Sequence, residues 1–160
     1  MSIKPGDRMP AGKFKLMGKD GPQELTTAQL FDGKRVVLFS VPGAFTPTCS
    51  ARHLPGYVDH AAELRARGID TIACMAVNDV YVMGAWGKSA GVGDAVLMLA
   101  DGSGDYARAL GLELDLNSAG LGMRGQRFAL LVDNGVATKV LVEGPGEFKV
   151  SSADYLLGQL

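Results

Sequence analysis

The sequence predicts an α/β layer fold built on a mixed β-sheet. Short continuous apolar runs, such as RVVLFSV at residues 35–41, have the length and composition of strands that are buried on both faces. Stretches with apolar residues at helical spacing separate these runs, which is the alternation typical of α/β proteins. Asn134-Gly135 joins the last two apolar runs and is a strong hairpin signal, so the sheet should be mixed rather than purely parallel.

The elements of the first half follow from local pattern. Residues 14–17 are a weak strand candidate, and residues 26–31 resemble a short helical turn. Residues 35–41 and 69–77 are predicted to be buried strands, with a helix at residues 57–67 between them. That helix should stop at Gly68, and Pro55-Gly56 should kink or break the helix that begins near Cys49.

The second half continues the alternation up to the hairpin. We predict helices at residues 80–90, 104–110 and 151–160, and strands at residues 96–100, 127–133 and 136–142. Gly111 should end the middle helix, and Ser151 or Ser152 should cap the last one.

Length and charge limit the classes of function. The 160 residues, with no internal repeat or long linker, predict a single domain over residues 1–160. The 16 basic and 17 acidic residues nearly cancel, which argues against a nucleic-acid-binding face and a polybasic membrane patch. No apolar run approaches the roughly 18 residues that span a bilayer, and the first twenty residues lack a signal-peptide core. We therefore expect a cytoplasmic protein.

The loop before Cys49 has the pattern of a reactive site. Thr46 is a good N-cap and Pro47 suits the first helical position, which places Cys49 third in the helix. The Cys49 backbone N–H would then face the Thr46 side chain. The first helical turn at the carboxyl edge of the sheet favours a thiolate, although a small buried hydrophobic residue is the alternative for Cys49.

The residues of this loop resemble an established family. Pro42, Thr46 and Cys49 form P-x-x-x-T-x-x-C, the active-site motif of the peroxiredoxins. The string VPGAFTPTCSARHLPGY is similar to the type II (atypical two-cysteine) branch. IACMAVND, VMGAWG and MRGQRFALLVDNGV are similar to that branch as well, so the resemblance covers nearly the whole chain. It implies a thioredoxin-like fold with a central mixed sheet flanked by helices.

The resemblance also implies a reaction and its residues. Cys49 matches the peroxidatic cysteine, which reduces hydrogen peroxide and alkyl hydroperoxides and becomes a sulfenic acid. Thr46 matches the residue that holds thiolate and peroxide, and Pro42 the proline that shields the sulfur. Arg127 matches the arginine that polarises the peroxide, with Arg124 as a competitor for that role. The thiol supplies the nucleophile, so we expect no metal, haem, flavin or other cofactor.

Cys74 and the reductant are less determined. Cys74 lies in an apolar strand, where a buried inert thiol is the default, although some members of the branch are thought to use it as a resolving thiol. No cysteine follows it, unlike the mammalian members of the branch. We expect a mainly structural Cys74 and reduction by an external thiol, with glutathione/glutaredoxin first and thioredoxin second.

Other features of the sequence suggest an interface and an alternative function. The branch forms homodimers around the active loop, which makes Phe45, Tyr81 and Trp86 interface candidates. A peroxide sensor or redox relay that passes oxidation to a partner protein would use the same site and is the alternative function.

The G-x-G-x-x-G match at residues 120–125 precedes a strand, so it does not predict a dinucleotide site. His53 and His60 are weak evidence for metal, and His53 could hydrogen-bond near the active loop.

Overall fold

The computed structural model describes residues 1–160 as nine strands and six helices. The strands are β1 (Lys13–Gly18), β2 (Gly21–Thr26), β3 (Arg35–Ser40), β4 (Thr71–Ala76), β5 (Leu97–Ala100), β6 (Glu113–Leu116), β7 (Gly122–Gly125), β8 (Phe128–Asp133) and β9 (Val136–Val142). The helices are α1 (Thr27–Phe31), α2 (Leu54–Asp59), α3 (Ala61–Ala66), α4 (Val80–Ser89), α5 (Asp105–Leu110) and α6 (Ala153–Leu157). A π-helical turn, Cys49–His53, precedes α2, and a 3₁₀ turn, Asn117–Ala119, precedes β7.

Seven strands form one mixed sheet in the order β2-β1-β5-β4-β3-β8-β9. The central pairs β3–β4 and β4–β5 are parallel, whereas the remaining neighbours are antiparallel. β6 and β7 make a separate two-stranded sheet. The three parallel strands therefore end at one common edge, which is where open α/β sheets place their sites.

The central strands bury both of their faces. Along β3, Val37 and Phe39 face a core cluster of 24 buried residues. Val36 and Leu38 point the other way, into a second cluster of 17 buried residues. This alternation explains why the sequence there is continuously apolar, because each face of the strand covers a separate core.

Most of the predicted elements are present within a few residues of their expected ends. The five strands predicted from apolar runs correspond to β3, β4, β5, β8 and β9, and Asn134-Gly135 does form the hairpin turn, with Asn134 at a φ of 47°. Gly111 ends α5 in the left-handed conformation, as expected of a C-cap glycine. No helix of the protein has the length and apolar character needed to cross a membrane.

Three strands were not predicted. β2 (GPQELT) is an edge strand whose residues are largely exposed, so it carries no apolar run. β6 and β7 are four residues each, and only Gly125 among their residues is buried. These strands are held by pairing with a neighbour rather than by core burial, and their sequences therefore lack a strand signal.

The helix predictions need three corrections. Pro55-Gly56 does not break the helix, because Pro55 lies in the first turn of α2, and the turn before it widens into the π form. The break comes instead at His60, which separates α2 from α3 inside the single helix predicted at residues 57–67. The last helix is shorter than predicted, and Ser152 caps it through a hydrogen bond from the Tyr155 N–H at 3.1 Å.

Candidate active site

The sheet register brings distant parts of the chain to one edge. Ser40, the last residue of β3, pairs with Phe128, the first residue of β8, because these two strands are antiparallel. Arg127 therefore stands beside the loop that leads from β3 to Cys49. Phe128 also pairs with Val142, the last residue of β9, and the Glu143 N–H donates to the Arg127 carbonyl at 3.0 Å. Glu143 is thus adjacent to Arg127.

Cys49 lies at the start of the π-helical turn and is completely buried, with 0% exposure. The helical run begins at Pro47, and the Ser50 N–H donates to the Thr46 carbonyl at 2.9 Å. Thr46 therefore occupies the N-cap position predicted from the sequence. Isolated π turns within helices occur often at functional sites.

The predicted contact between the Thr46 side chain and the Cys49 backbone N–H does not form. Thr46 Oγ1 instead donates to the Gly43 carbonyl at 2.7 Å and closes the loop that precedes the helix. A hydroxyl has one proton to donate and two lone pairs. With its proton committed to Gly43, the Thr46 oxygen keeps its acceptor capacity.

Arg127, and not Arg124, contacts the sulfur. Arg127 Nη2 donates to Cys49 Sγ at 3.0 Å, as the sequence interpretation of RFALLVD requires. Arg124 instead binds two carbonyls, with Nη1 donating to Pro42 at 3.2 Å and Nε donating to Leu121 at 2.8 Å. Arg124 therefore tethers the Pro42 end of the loop, while Arg127 supplies the positive charge at the thiol.

His53 is the second partner of Arg127. Arg127 Nη1 lies 2.8 Å from His53 Nδ1, and His53 Nε2 lies 3.1 Å from the Ser151 carbonyl oxygen. A guanidinium only donates and a carbonyl only accepts, so Nδ1 accepts and Nε2 carries the proton. Burial, together with the Arg127 charge, lowers the pKa of His53 to about 3, and the imidazole is neutral near pH 7.

Glu143 completes the hydrogen-bond network that includes Arg127, His53 and Ser151, and the sequence analysis did not predict it. Its buried carboxylate accepts from the backbone N–H groups of Lys149, Val150 and Ser151 and from the Ser151 hydroxyl, at 2.7–2.9 Å. Burial opposes the charge, but these hydrogen bonds, led by that of the Ser151 hydroxyl, lower the pKa of Glu143 overall. Its only sequence signal was an acidic residue directly after the last predicted strand.

A cavity of about 290 Å³ adjoins this cluster. Pro42, Thr48 and Arg127 line it on the side of the loop, and residues 143–147 line it on the opposite side. Arg127 both borders the cavity and donates to the buried Cys49 sulfur, so it connects the thiol to the space where a small molecule could bind. No group of three or more His, Cys, Asp or Glu side chains is arranged to hold a metal ion, in this cluster or elsewhere.

Sequence similarity identifies the family. The pattern of the Redoxin family matches residues 4–157. Peroxiredoxin-2B of Arabidopsis thaliana is 50% identical over 156 residues, which cover 97% of this chain and 96% of that protein. This chain belongs to the redoxin family and is a peroxiredoxin. A chloroplastic relative, Peroxiredoxin-2E-2 of Oryza sativa, is 48% identical over 99% of this chain and 73% of its own length.

Structural similarity supports the same assignment. The crystal structure of reduced Prx3 in complex with hydrogen peroxide from Vibrio vulnificus matches with a TM-score of 0.94 at 46% identity, covering 98% of both chains. The thioredoxin-like fold and the type II branch predicted from the sequence are confirmed. The protein is a thiol-dependent peroxidase.

The second cysteine of this peroxiredoxin has a different setting. Cys74 lies in β4, where it pairs with Phe39 of β3 and Met98 of β5, and its exposure is 0%. Burial, and then the nearby charge of Cys49, raises the pKa of Cys74 well above the ordinary range. Cys74 is therefore held as a thiol within the same core cluster that contains Cys49.

The three aromatic interface candidates do not share one environment. Phe45 and Tyr81 are 53% and 66% exposed, so both can contribute to a surface beside the active loop. Trp86 is only 2% exposed, which makes its prediction as an interface residue wrong. Its indole Nε1 donates to Ser50 Oγ at 3.1 Å, because α4 packs the ring inward against the π turn.

The geometry suits nucleophilic attack on a peroxide. In this arrangement a thiolate at Cys49 could form an S–O bond to the terminal oxygen of a peroxide, ROOH, while the O–O bond breaks, which would give a sulfenic acid and RO⁻. The leaving alkoxide then takes up a proton as ROH. Arg127 provides a fixed positive charge where negative charge develops, and it cannot lose that charge by titration.

Proposed function

We propose that this peroxiredoxin reduces hydrogen peroxide and alkyl hydroperoxides through Cys49, and that an external thiol reduces the resulting sulfenic acid. The observation that carries the first part is the Arg127 Nη2 donor 3.0 Å from Cys49 Sγ beside an open cavity. Thr46 and Pro42 complete the site, with Thr46 keeping a free acceptor and Pro42 lining the cavity. Cys49 is the nucleophile in this proposal.

The cavity supports the substrate class. Its volume of about 290 Å³ exceeds the need of hydrogen peroxide and leaves room for a small alkyl group. Leu114 and Pro145 offer apolar surface, whereas Gln126 and Arg127 offer polar groups. Such a mixed lining suits a hydroperoxide, which has a polar head and an apolar tail.

The packing of Cys74 supports an external reductant. An internal disulfide would require Cys74 to leave the centre of a paired strand, and that movement requires local unfolding of the sheet. The raised pKa of Cys74 also keeps it in the thiol form, which is the poorer nucleophile. We propose glutathione with glutaredoxin as the first reductant and thioredoxin as the second.

Two further parts of the proposal concern assembly and location. The exposed Phe45 and Tyr81 support a homodimer formed around the active loop. Phe45 has a φ of 64°, which is unusual for a bulky residue, and its side chain is exposed. A cytoplasmic location rests on the sequence expectation alone.

Parallel turnover assays test the reductant. Hydrogen peroxide consumption is measured with glutathione and glutaredoxin, and with thioredoxin and its reductase, for the wild type and for Cys74→Ser. We expect faster turnover with glutathione and glutaredoxin, and little change on replacing Cys74. Intact mass of the peroxide-treated wild type should show a Cys49 sulfenic acid or a mixed disulfide with glutathione.

Other results would contradict the proposal. A mass loss of two hydrogens, absent from Cys74→Ser, would indicate a Cys49–Cys74 disulfide and an internal resolving thiol. Turnover with thioredoxin alone would reverse the order of the reductants. Poor turnover with every small reductant, together with a mixed disulfide to one specific protein, would favour the peroxide sensor.

A further inference from the structure

A chain of hydrogen bonds connects the Cys49 sulfur to Glu143. Arg127 Nη2 donates to Cys49 Sγ at 3.0 Å, and Arg127 Nη1 donates to His53 Nδ1 at 2.8 Å. His53 Nε2 donates to the Ser151 carbonyl at 3.1 Å. The Ser151 N–H and hydroxyl both donate to the Glu143 carboxylate, at 2.8 Å and 2.7 Å. The chain thus runs from the buried sulfur to the Glu143 carboxylate, which lines the cavity.

The donor and the acceptor of each hydrogen bond to His53 are fixed by its partner. Arg127 has no acceptor, so it requires the lone pair on His53 Nδ1. The Ser151 carbonyl has no donor, so it requires the proton on His53 Nε2. One neutral tautomer of His53 satisfies both partners, and the imidazole cannot turn over without losing both bonds.

The Ser151 carbonyl is itself fixed from several directions. It also accepts a hydrogen bond from the Tyr57 hydroxyl at 2.7 Å. The Glu143 carboxylate holds the segment before it through the N–H groups of Lys149 and Val150. Because the Glu143 backbone pairs with the Arg127 carbonyl at 3.0 Å, the chain of hydrogen bonds returns to the residue that contacts the sulfur.

Aromatic rings confine the imidazole between these partners. The His53 ring centroid lies 5.0 Å from that of Phe39 on one side and 5.0 Å from that of Phe148 on another. Phe148 also lies under the Arg127 guanidinium, 5.8 Å from the ring centroid. His53 is 0% exposed, so water cannot replace the hydrogen bond it accepts from Arg127.

From this arrangement we infer that His53 is a positioning residue, which holds the Arg127 guanidinium against the Cys49 sulfur and is itself held by Ser151 and Glu143. An arginine side chain has several rotatable bonds, and a donor that must meet a developing charge gains most when it is fixed beforehand. His53 supplies that fixation by binding the second nitrogen of the same guanidinium. It does not touch the peroxide.

The chain offers a matched pair of variants to test this role. In His53→Asn, the amide oxygen lies near the position of Nδ1 and can accept from Arg127. In His53→Gln, the amide nitrogen lies near the position of Nε2 and can donate to Ser151, but the Arg127 partner is lost. Both substitutions are polar and conservative. His60→Asn is the control, because His60 binds Glu63 and Asp154 on the surface and does not contact Arg127.

Two measurements report on Arg127 rather than on folding alone. One is the rate of single-turnover oxidation by hydrogen peroxide, and the other is the pH dependence of Cys49 alkylation in the Cys74→Ser background. We expect His53→Gln to oxidise about 10- to 100-fold more slowly and to reach half-maximal alkylation at higher pH. His53→Asn should lose less in both assays, and His60→Asn should match the parent. Neither assay needs a reductant, so the result is independent of the proposed glutathione step.

A double-mutant cycle decides between positioning and structure. If His53 acts through Arg127, then His53→Gln should cause no further loss of oxidation rate in an Arg127→Met background. Additive losses in the cycle would overturn the proposal, as would His53→Gln with the parent's rate and alkylation profile. Equal losses in His53→Asn and His53→Gln would also overturn it, since the two variants preserve different bonds.

Discussion

The two cysteines of this protein are equally buried yet differ in almost everything else. Both have 0% exposure and both belong to the same core cluster. Cys49 lies in a π turn after a loop and accepts a hydrogen bond from Arg127 at 3.0 Å. Cys74 lies in a strand between two paired neighbours, and its side chain belongs to the apolar core.

This difference shows that burial alone does not decide whether a thiol is reactive. Desolvation disfavours the thiolate wherever it acts, and at Cys74 burial outweighs the opposing charge of Arg127, so the pKa is raised. At Cys49 the Arg127 guanidinium donates directly to the sulfur, and Arg127 also lines the neighbouring cavity. The partner and the local element therefore separate a candidate nucleophile from a core residue.

The largest expected effect separates the two thiols directly. Cys49→Ser should lower the rate of peroxide reduction by at least about 10³-fold, because the nucleophile is removed. Cys74→Ser should retain most of the rate. Its unpaired buried hydroxyl should instead lower the free energy of unfolding by about 1–3 kcal/mol. Peroxide consumption and urea unfolding of both variants check this, and substantial turnover by Cys49→Ser would disprove the site.

The second effect concerns the cation that makes the two sites different. Arg127→Lys should lower the oxidation rate by about 10²- to 10³-fold, since a lysine ammonium cannot reproduce the planar fork that meets both Sγ and His53. Arg124→Lys, which changes only the tether to Pro42 and Leu121, should lose less than about tenfold. Stopped-flow oxidation measures both rates. Equal losses in the two variants would contradict the assignment of the sulfur-binding role to Arg127.

The sequence predicted the parts of the site that belong to motifs resembling those of the peroxiredoxins. Pro42, Thr46 and Cys49 form one contiguous motif, and Arg127 begins an apolar run that is recognisable as a strand. Glu143 and Ser151 could not be predicted, because they reach the site only when β9 pairs with β8 and the following segment folds back. Trp86 was misplaced for a related reason: helical spacing alone did not show which side of α4 faces the π turn.

The strands likewise divide into those that their own residues predict and those that depend on a neighbouring strand. Strands that bury both faces were predicted from their apolar runs, since core burial fixes both sequence and structure there. β2, β6 and β7 depend on a neighbouring strand for their hydrogen bonds and expose much of their length. Their formation is a property of the assembled sheet rather than of their own residues.

The third effect is a loss of stability at low pH, and it arises from His53, which lies in the π turn with Cys49 and not in the strand of Cys74. Burial, together with the Arg127 charge and against the opposing charge of Glu143, lowers the pKa of His53 from 6.5 in the unfolded chain to about 3 in the folded protein. Between these values the unfolded chain binds the proton and the folded protein does not, so stability falls as the pH drops. The slope should be up to about 1.4 kcal/mol per pH unit.

A matched variant isolates this contribution. His53→Asn cannot titrate, so its free energy of unfolding should depend less steeply on pH between 6.5 and 3 than that of the wild type. His60→Asn, which alters a partly exposed histidine, should keep most of the wild-type slope. Urea unfolding across this pH range measures the slopes, and identical slopes for His53→Asn and the wild type would contradict the buried neutral imidazole.

The smallest expected effect uses Trp86, the one tryptophan of the chain, as a reporter of the Cys49 turn. Its Nε1 donates to Ser50 Oγ at 3.1 Å, directly beside Cys49. Ser50→Ala should lower the free energy of unfolding by about 1–2 kcal/mol, because the buried indole N–H loses its partner. Peroxide treatment should change the Trp86 emission in Cys74→Ser and leave it unchanged in Cys49→Ser, if only the π turn responds to peroxide. An emission change that requires Cys74 would instead show that the strand thiol takes part, and the two cysteines would then form one redox unit.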